Sequence, residues 1–324
     1  MRVGKLTTSE LNESVINLLK HVRNEVKCSA SVGEDCALIE SEGLMLISAD
    51  PITAPVKLDK LGSLCVSVCC NDVASNGGEP IAMTLTLIMP PDHTANDVKI
   101  VMQGAVEKAT ELNVEIVGGH TEFSDCVTRP IICGTVIGKT AKPILKTALK
   151  AGEKLLVTKM LGMEGTCIIV EGNDEKLSDS ERATYEQFSE SLSVTKESEI
   201  LRSLDCIGVM HDVTEGGILG AVAEICHTQN LGATLYGECM PLADLTKRLC
   251  KKYEINPLRL ISSGSMLIST TNPDLVIETL AKSGITATQV GEVTTGKTVL
   301  KSQDKTEEFE VQPDELLKVN GERK

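Results

Sequence analysis

A chain of 324 residues with 32 Lys and Arg against 46 Asp and Glu carries a formal charge of −14. That balance excludes a basic nucleic-acid groove, and 3 Tyr, 3 Phe and no Trp leave few rings to stack on bases. An apolar fraction of 41% can bury a sizeable core, and with aromatics at 2% that core must be filled by Val, Ile, Leu, Met, Ala and Cys, a palette suited to sheets covered by helices.

Residues 7–22, TTSELNESVINLLKHV, place Leu11, Val15, Leu18, Leu19 and Val22 at helical spacing behind Thr and Ser caps. GEDCALIE and GLMLISAD read as short strands, and LDKLGSLCVSVCCNDVASNG as a helix closed by Gly77 and Gly78. A strand IAMTLTLIMP, a helix TANDVKIVMQGAVEKATELN and strands VEIVGG and RPIICGTVIGK follow. KTAKPILKTALKAGEK has no clear period, which puts a domain boundary near residue 150 before the strand EKLLVTK. The second half is richer in helix: GTCIIVEG, SERATYEQFSESL, VTKESEILRSL, EGGILGAVAEICHTQ, LADLTKRLCKKY and NPDLVIETLAKSG, with strands GATLYGE, GSMLIST and TATQVGEVT between them. The pattern divides the chain into domains at 1–150 and 151–300 and a charged tail at 301–324, expected to be loosely ordered. The start, MRVGKLTTSE, has polar residues where a secretory leader is apolar, and no stretch reaches the roughly 18 apolar residues of a membrane span, so a cytoplasmic chain without membrane contact is expected.

Twelve cysteines are many for a reducing compartment, yet no CxxC occurs. Cys65, Cys69 and Cys70 lie amid Val, Leu and Ala in a helical run and read as buried small hydrophobes rather than a zinc or iron–sulfur site.

Four segments place an acid at a strand end or helix start beside small residues: Asp35 in GEDCA, Asp50 in SADP, Asp72 in NDVA and Asp212 in HDVTEGG. Magnesium takes oxygen ligands and shares them with phosphates and water, so carboxylates spread over several loops suit a metal–nucleotide complex; each one alone also suits a cap or turn. Gly118 and Gly119 in VGGHTE let backbone approach a ligand, and His120 beside them can polarise one or simply bond backbone. The Thr214-Glu215-Gly216-Gly217 turn opens a helix whose free N–H groups suit a phosphate, though Glu215 also suits a helix cap. Neither a P-loop nor G-x-G-x-x-G is present.

Taken in order, Gly4-Lys5-Leu6, GEDCA, SADPIT, NDVASNGGEP, VGGHTE, GTVIGK, TKMLGMEGT, HDVTEGG, ISSGSMLIS and VGEV resemble the AIR synthase-related, or PurM-like, superfamily of ATP-binding enzymes, and within it most of all HypE-like members. The resemblance implies an α+β two-domain fold, an N-terminal mixed sheet that builds a homodimer, a C-terminal α/β sandwich, and Mg-ATP in a cleft. Asp35, Asp50, Asp72 and Asp212 match its metal positions. Lys5, Asn71, Gly118, Gly119, His120, Thr121, Glu122, Thr214, Glu215, Gly216 and Gly217 match positions for nucleotide, phosphate or substrate. The implied chemistry is activation of an amide-like oxygen by phosphorylation, on a small-molecule or protein-borne substrate, with a maturation-complex partner possible. The departures matter. HypE ends in a cysteine, whereas this chain ends Asn320-Gly321-Glu322-Arg323-Lys324 and its last cysteine is Cys250. A non-catalytic nucleotide-binding partner, or another activity of the superfamily such as AIR synthase or thiamine-monophosphate kinase, is therefore the alternative.

Overall fold

The computed structural model describes residues 26–28, 33–34, 36–40, 43–303 and 305–321. The helix expected over 7–22, Lys5 and Asp35 lie outside the described residues.

The N-terminal half forms a six-stranded mixed sheet in the order β1-β2-β3-β6-β4-β5, from β1 (Val26–Cys28), β2 (Ala37–Glu40), β3 (Leu44–Ile52), β4 (Glu79–Met89), β5 (Glu115–Phe123) and β6 (Ile131–Thr140). All neighbours are antiparallel except β4 and β5, which are parallel and joined through a helix crossover. Leu46, Ser48 and Ile52 alternate on the buried side of β3 and face α1 (Leu58–Ser75), which packs beside α2 (Ala95–Glu111). Thr94 and Asp97 close the start of α2 with a reciprocal capping box.

The second half forms a seven-stranded sheet in the order β13-β12-β9-β11-β7-β10-β8. Its strands are β7 (Lys154–Thr158), β8 (Ile207–Asp212), β9 (Gly232–Tyr236), β10 (Met266–Thr270), β11 (Ala287–Thr294), β12 (Val299–Ser302) and β13 (Lys305–Glu308). Its helices are α3 (Met163–Gly172), α4 (Asp179–Glu190), α5 (Thr195–Leu201), α6 (Gly217–Thr228), α7 (Asp244–Lys252), α8 (Pro273–Ala281) and α9 (Leu316–Gly321). Both faces of this sheet are covered: Leu155 and Val157 of β7 pack under α6, while Leu156 packs with Val276 and Leu280 of α8. That is why EKLLVTK is apolar without alternation. The result is a mixed α/β two-domain fold.

Three local expectations differ from the structure. Residues 207–212, not read as an element, form the edge strand β8. The run around residue 146 contains a short 3-10 turn, Lys146–Ala148. The tail is ordered through most of its length, because β12 and β13 extend the sheet edge and Leu316 and Val319 bury against Ile169 of α3 and Leu249 of α7. No helix among the described residues is long and apolar enough to cross a membrane.

Candidate functional site

The two domains meet on α1. From Leu61 to Ser75 every residue of this helix except Ser63 is buried, because β3, β4 and β6 cover one side and β8 and α5 the other. Burial of its polar C-terminal turns requires partners from both domains. Asn71 donates Nδ2 to the Leu192 carbonyl at 2.9 Å and accepts the Val194 amide on Oδ1 at 2.8 Å. Asn76 donates to the Ile144 carbonyl at 3.1 Å, and Ser198 Oγ donates to the Ala74 carbonyl at 2.6 Å.

Two of the expected metal positions lie in this seam. Asp72 is 7% exposed and accepts the Ser48 hydroxyl on Oδ2; Asp212 is 1% exposed and accepts the Ser75 hydroxyl on Oδ1 at 3.2 Å, while its own amide donates to Ser75 Oγ at 3.0 Å. Asp72 and Ser75 are three residues apart on α1, so Asp72 and the serine that holds Asp212 of β8 share a face of the helix. Asp50, partly buried, follows Ser48 by two on β3; its charge helps push the Cys69 thiol up, after the effects of Cys65 and burial. His211, nearly buried, turns Nε2 toward Glu224 at 3.4 Å. Lys146 is fully buried: Nζ donates to the Met210 carbonyl at 2.9 Å, and its amide shares Glu34 Oε1 with Asn76 Nδ2, both at 3.3 Å.

A second group of acids gathers where α3 and α6 begin. Gly216 and Gly217 take φ of 82° and 58°, and a Cβ on Gly217 would stand 2.6 Å from the Leu258 carbonyl oxygen, so only glycine turns the chain into α6 here. The Gly216 amide donates to Asp314 Oδ2 at 2.8 Å, and the Leu316 amide to Asp314 Oδ1 at 2.8 Å. Burial pushes the Asp314 carboxyl up to about 6, aided by the charge of Glu215 and opposed by the backbone donors Leu316, Gly216 and Ile261. Burial likewise pushes Glu164, in the first turn of α3, up to about 7; the neighbouring Ser263 hydroxyl opposes the rise, and the charges of Glu215, Asp314 and Asp212 add to it.

Between α1 and α3 lies a small cleft. Lys60, Ser63 and Ser67 line one wall, Glu164 and Cys167 the other, and Leu192 closes one side.

The remaining expected positions are elsewhere. Gly118, Gly119, His120, Thr121 and Glu122 lie on β5, exposed at the sheet edge, with His120 Nε2 facing Glu122 Oε2 at 3.3 Å. Gly119 has φ 150°, and a Cβ there would reach 1.9 Å from the Leu85 carbonyl oxygen, so the close pairing of β5 with β4 accounts for that glycine. Thr214 through Gly217 form the turn into α6, with Asp314 on the Gly216 amide. Cys65, Cys69 and Cys70 are fully buried, with the thiols of Cys69 and Cys70 pushed far up, as core residues are. Among the described residues no three His, Cys, Asp or Glu side chains assemble as a metal site.

Sequence reasoning missed Ser48, Ser75, Lys146, Glu164 and Asp314. Ser48 and Ser75 sit two and three residues from expected acids, and Glu164 lies inside TKMLGMEGT, so their neighbourhoods were marked although their roles were not. Lys146 and Asp314 lie in segments without periodicity, and no local signal marks them.

Comparison with known proteins agrees with this architecture. The family model for the AIR synthase related protein N-terminal domain matches residues 33–140, and the model for its C-terminal domain matches residues 150–301. A putative hydrogenase expression/formation protein of Methanocaldococcus jannaschii is 28% identical over 66% of this chain, and the match spans 63% of that relative's length. The carbamoyl dehydratase HypE of Bradyrhizobium diazoefficiens is 24% identical over 64% of this chain and 60% of its own. The selenide, water dikinase of Methanococcus maripaludis is 24% identical over 95% of this chain and 97% of its own. Among solved structures, the HypE–HypF complex superposes with a TM-score of 0.79 at 20% identity, covering 93% of this chain and 99% of that one. HypE in complex with ATP gives 0.74 at 17% identity over 96% of each chain, and AaThiL complexed with AMPPCP and TMP gives 0.76 at 18% identity over 95% and 99%. These likenesses carry the fold, and the two domain models, which together span most of the chain, show that it belongs to the AIR synthase related protein family.

Proposed function

We propose that the protein is an ATP-dependent enzyme that activates an amide-like oxygen by phosphorylation, most like the hydrogenase maturation factor HypE. One observation carries the reading: the seam between the domains buries Asp72 of α1 and Asp212 of β8, each held by a serine hydroxyl. Buried carboxylates fixed from two domains suit a ligand that brings its own compensating charge. Support comes also from relatives in complexes with ATP or AMPPCP and from one named a carbamoyl dehydratase, since a carbamoyl group is an amide.

The donor set fits magnesium held jointly with phosphates, because that ion commonly takes one or two protein carboxylates and leaves its other positions to phosphate and water. Asp72 and Asp212 would hold it, with Asp50 and Asp35 as further positions. When bound, magnesium would supply neutralisation of the phosphate charge that grows during transfer. The protein's own part is positional. Ser48 and Ser75 orient the two carboxylates, and Asn71 locks α1 to the 192–194 segment. Pairing of two copies through β5, whose outer edge is open and which exposes Val117 and Phe123, completes the proposed assembly, working in the cytoplasm.

Titration of the protein with Mg-ATP by calorimetry tests the reading. Binding by the parent, weakened at least about tenfold in Asp72→Asn and in Asp212→Asn, is the expected result. Equal binding by parent and variants would remove the reading.

A second reading, a non-catalytic nucleotide-binding partner in a maturation complex, is favoured by the Asp314 carboxylate seated on the Gly216 amide, where a phosphate would otherwise dock. A structural relative solved as a HypE–HypF complex supports a protein partner. Release of ADP in the presence of an amide acceptor, without any second protein, would decide against this reading.

A further inference from the structure

Among the described residues, five that are not glycine take a left-handed backbone, and four of them, Asn113, Asp174, Asn230 and Glu254, stand two residues beyond the end of a helix, where such a residue stops the helix. The fifth, Lys159, with φ 54°, follows strand β7 directly, so no helix end accounts for it. A Cβ strains this conformation, and a strained lysine where glycine would sit at ease points to its side chain. That side chain is held by three acceptors. Nζ pairs with Glu197 Oε1 of α5 at 2.7 Å, an acid whose side chain is 2% exposed, and donates to the Ser191 carbonyl at 3.1 Å and the Ser193 carbonyl at 2.7 Å. Asn71 of α1 takes the alternate groups of the same segment, the Leu192 carbonyl and the Val194 amide. Residues 191–194 are thus bolted by turns from β7 of the second domain and from α1 of the first. One residue beyond Glu197, Ser198 Oγ donates to the Ala74 carbonyl at 2.6 Å, so Lys159 reaches α1 by two routes that meet it on either side of Asp72.

We propose, resting on the ATP reading above, that Lys159 is a positioning residue: from the end of β7 its ammonium sets the 191–198 segment against α1 and so fixes Asp72 relative to Asp212. The physical reason lies in where the two acids are carried. Asp72 stands on α1 of the first domain and Asp212 on β8 of the second, so a ligand shared between them is held only while the domains keep one spacing. The element between them, α5, has seven residues, too few to stay in place through its own helical bonds. Lys159 supplies what the helix lacks. One ammonium joins a buried carboxylate and two carbonyls, and charge-assisted hydrogen bonds in such a setting are stronger than neutral ones. Lys159 therefore acts through Asn71 and Ser198 rather than by touching the ligand.

The test compares the parent, Lys159→Met and Lys159→Met/Glu197→Gln with Thr94→Ala, which removes the cap of α2 away from the seam. Lys159→Met leaves the Glu197 carboxylate buried without its cation; the double variant removes both charges and carries the test if the single one does not fold. Mg-ATP affinity by calorimetry, the urea midpoint and amide hydrogen exchange are measured on each. Mg-ATP affinity is expected to fall about tenfold in the Lys159 variants and to stay at the parent's value in Thr94→Ala. Exchange at Val194 and over residues 72–75 is expected to run at least about tenfold faster than in Thr94→Ala. A purely local packing role lowers the urea midpoint without moving affinity, so affinity within about threefold of the parent overturns the proposal. Exchange over residues 72–75 no faster than in Thr94→Ala overturns it as well. A parent that binds no Mg-ATP removes the nucleotide reading itself, and exchange then decides alone whether Lys159 positions α1, which keeps the two failures apart.

Discussion

Asp314 Oδ2 accepts the Gly216 amide at 2.8 Å, so a carboxylate from the C-terminal segment caps the helix that the sequence presents as an anion site. Replacing it by alanine strands the buried amides of Gly216 and Leu316. Asp314→Ala is expected to lose about 2–4 kcal/mol, read as a lower urea midpoint with an unchanged slope.

The two raised acids set a pH dependence. Glu164 moves from 4.5 to about 7 and Asp314 from 3.8 to about 6 on folding, so between those values the folded state holds protons that the unfolded state has released. Their contribution to stability is present at low pH and is lost as pH rises from about 4 to about 7. For Glu164 the loss is of order 3 kcal/mol, at about 1.4 kcal/mol per unit. The difference in urea midpoint between pH 5 and pH 8 should therefore shrink in Glu164→Gln; an unchanged difference would refute the assignment.

Asn71 uses both ends of its amide to tie α1 to residues 192 and 194. Asn71→Ala leaves the Val194 amide and the Leu192 carbonyl unpaired in the interior. A loss of about 2–4 kcal/mol is expected, together with faster hydrogen exchange at Val194.

Two glycines separate conformational strain from crowding. Gly284 has φ 75° and open space within 4 Å of where a Cβ would stand, so Gly284→Ala should cost about 1 kcal/mol, the penalty of a left-handed alanine. Gly217 has φ 58° and its Cβ would meet the Leu258 carbonyl oxygen at 2.6 Å. Gly217→Ala should exceed the first loss by about 2 kcal/mol or more in the same denaturation series.

Thiol chemistry should follow burial. Cys126 and Cys239 are exposed, whereas Cys65, Cys69 and Cys70 are sealed in the first core. Iodoacetamide is expected to label the first two in the native protein and the other three only after denaturation. Native labelling of Cys69 would contradict the packed core.

Periodicity and composition by themselves determined a large part of this molecule. The helix over 58–77, the strands 81–90 and 153–159 and the helix following Gly217 were legible because their burial is written into local spacing. The order of the acidic and glycine segments was enough to indicate the family. What only the tertiary structure decided are the relationships between distant residues. Ser75 and Asp212 are 137 residues apart, and Gly216 and Asp314 are 98 apart. Neither pairing leaves a local pattern, because a hydroxyl or a carboxylate meets its partner through the packing of two domains rather than through spacing along one element. Glu164 makes the same point: its identity was readable, but its burial beside three other acids depends on where β8, α6 and the C-terminal segment come to rest.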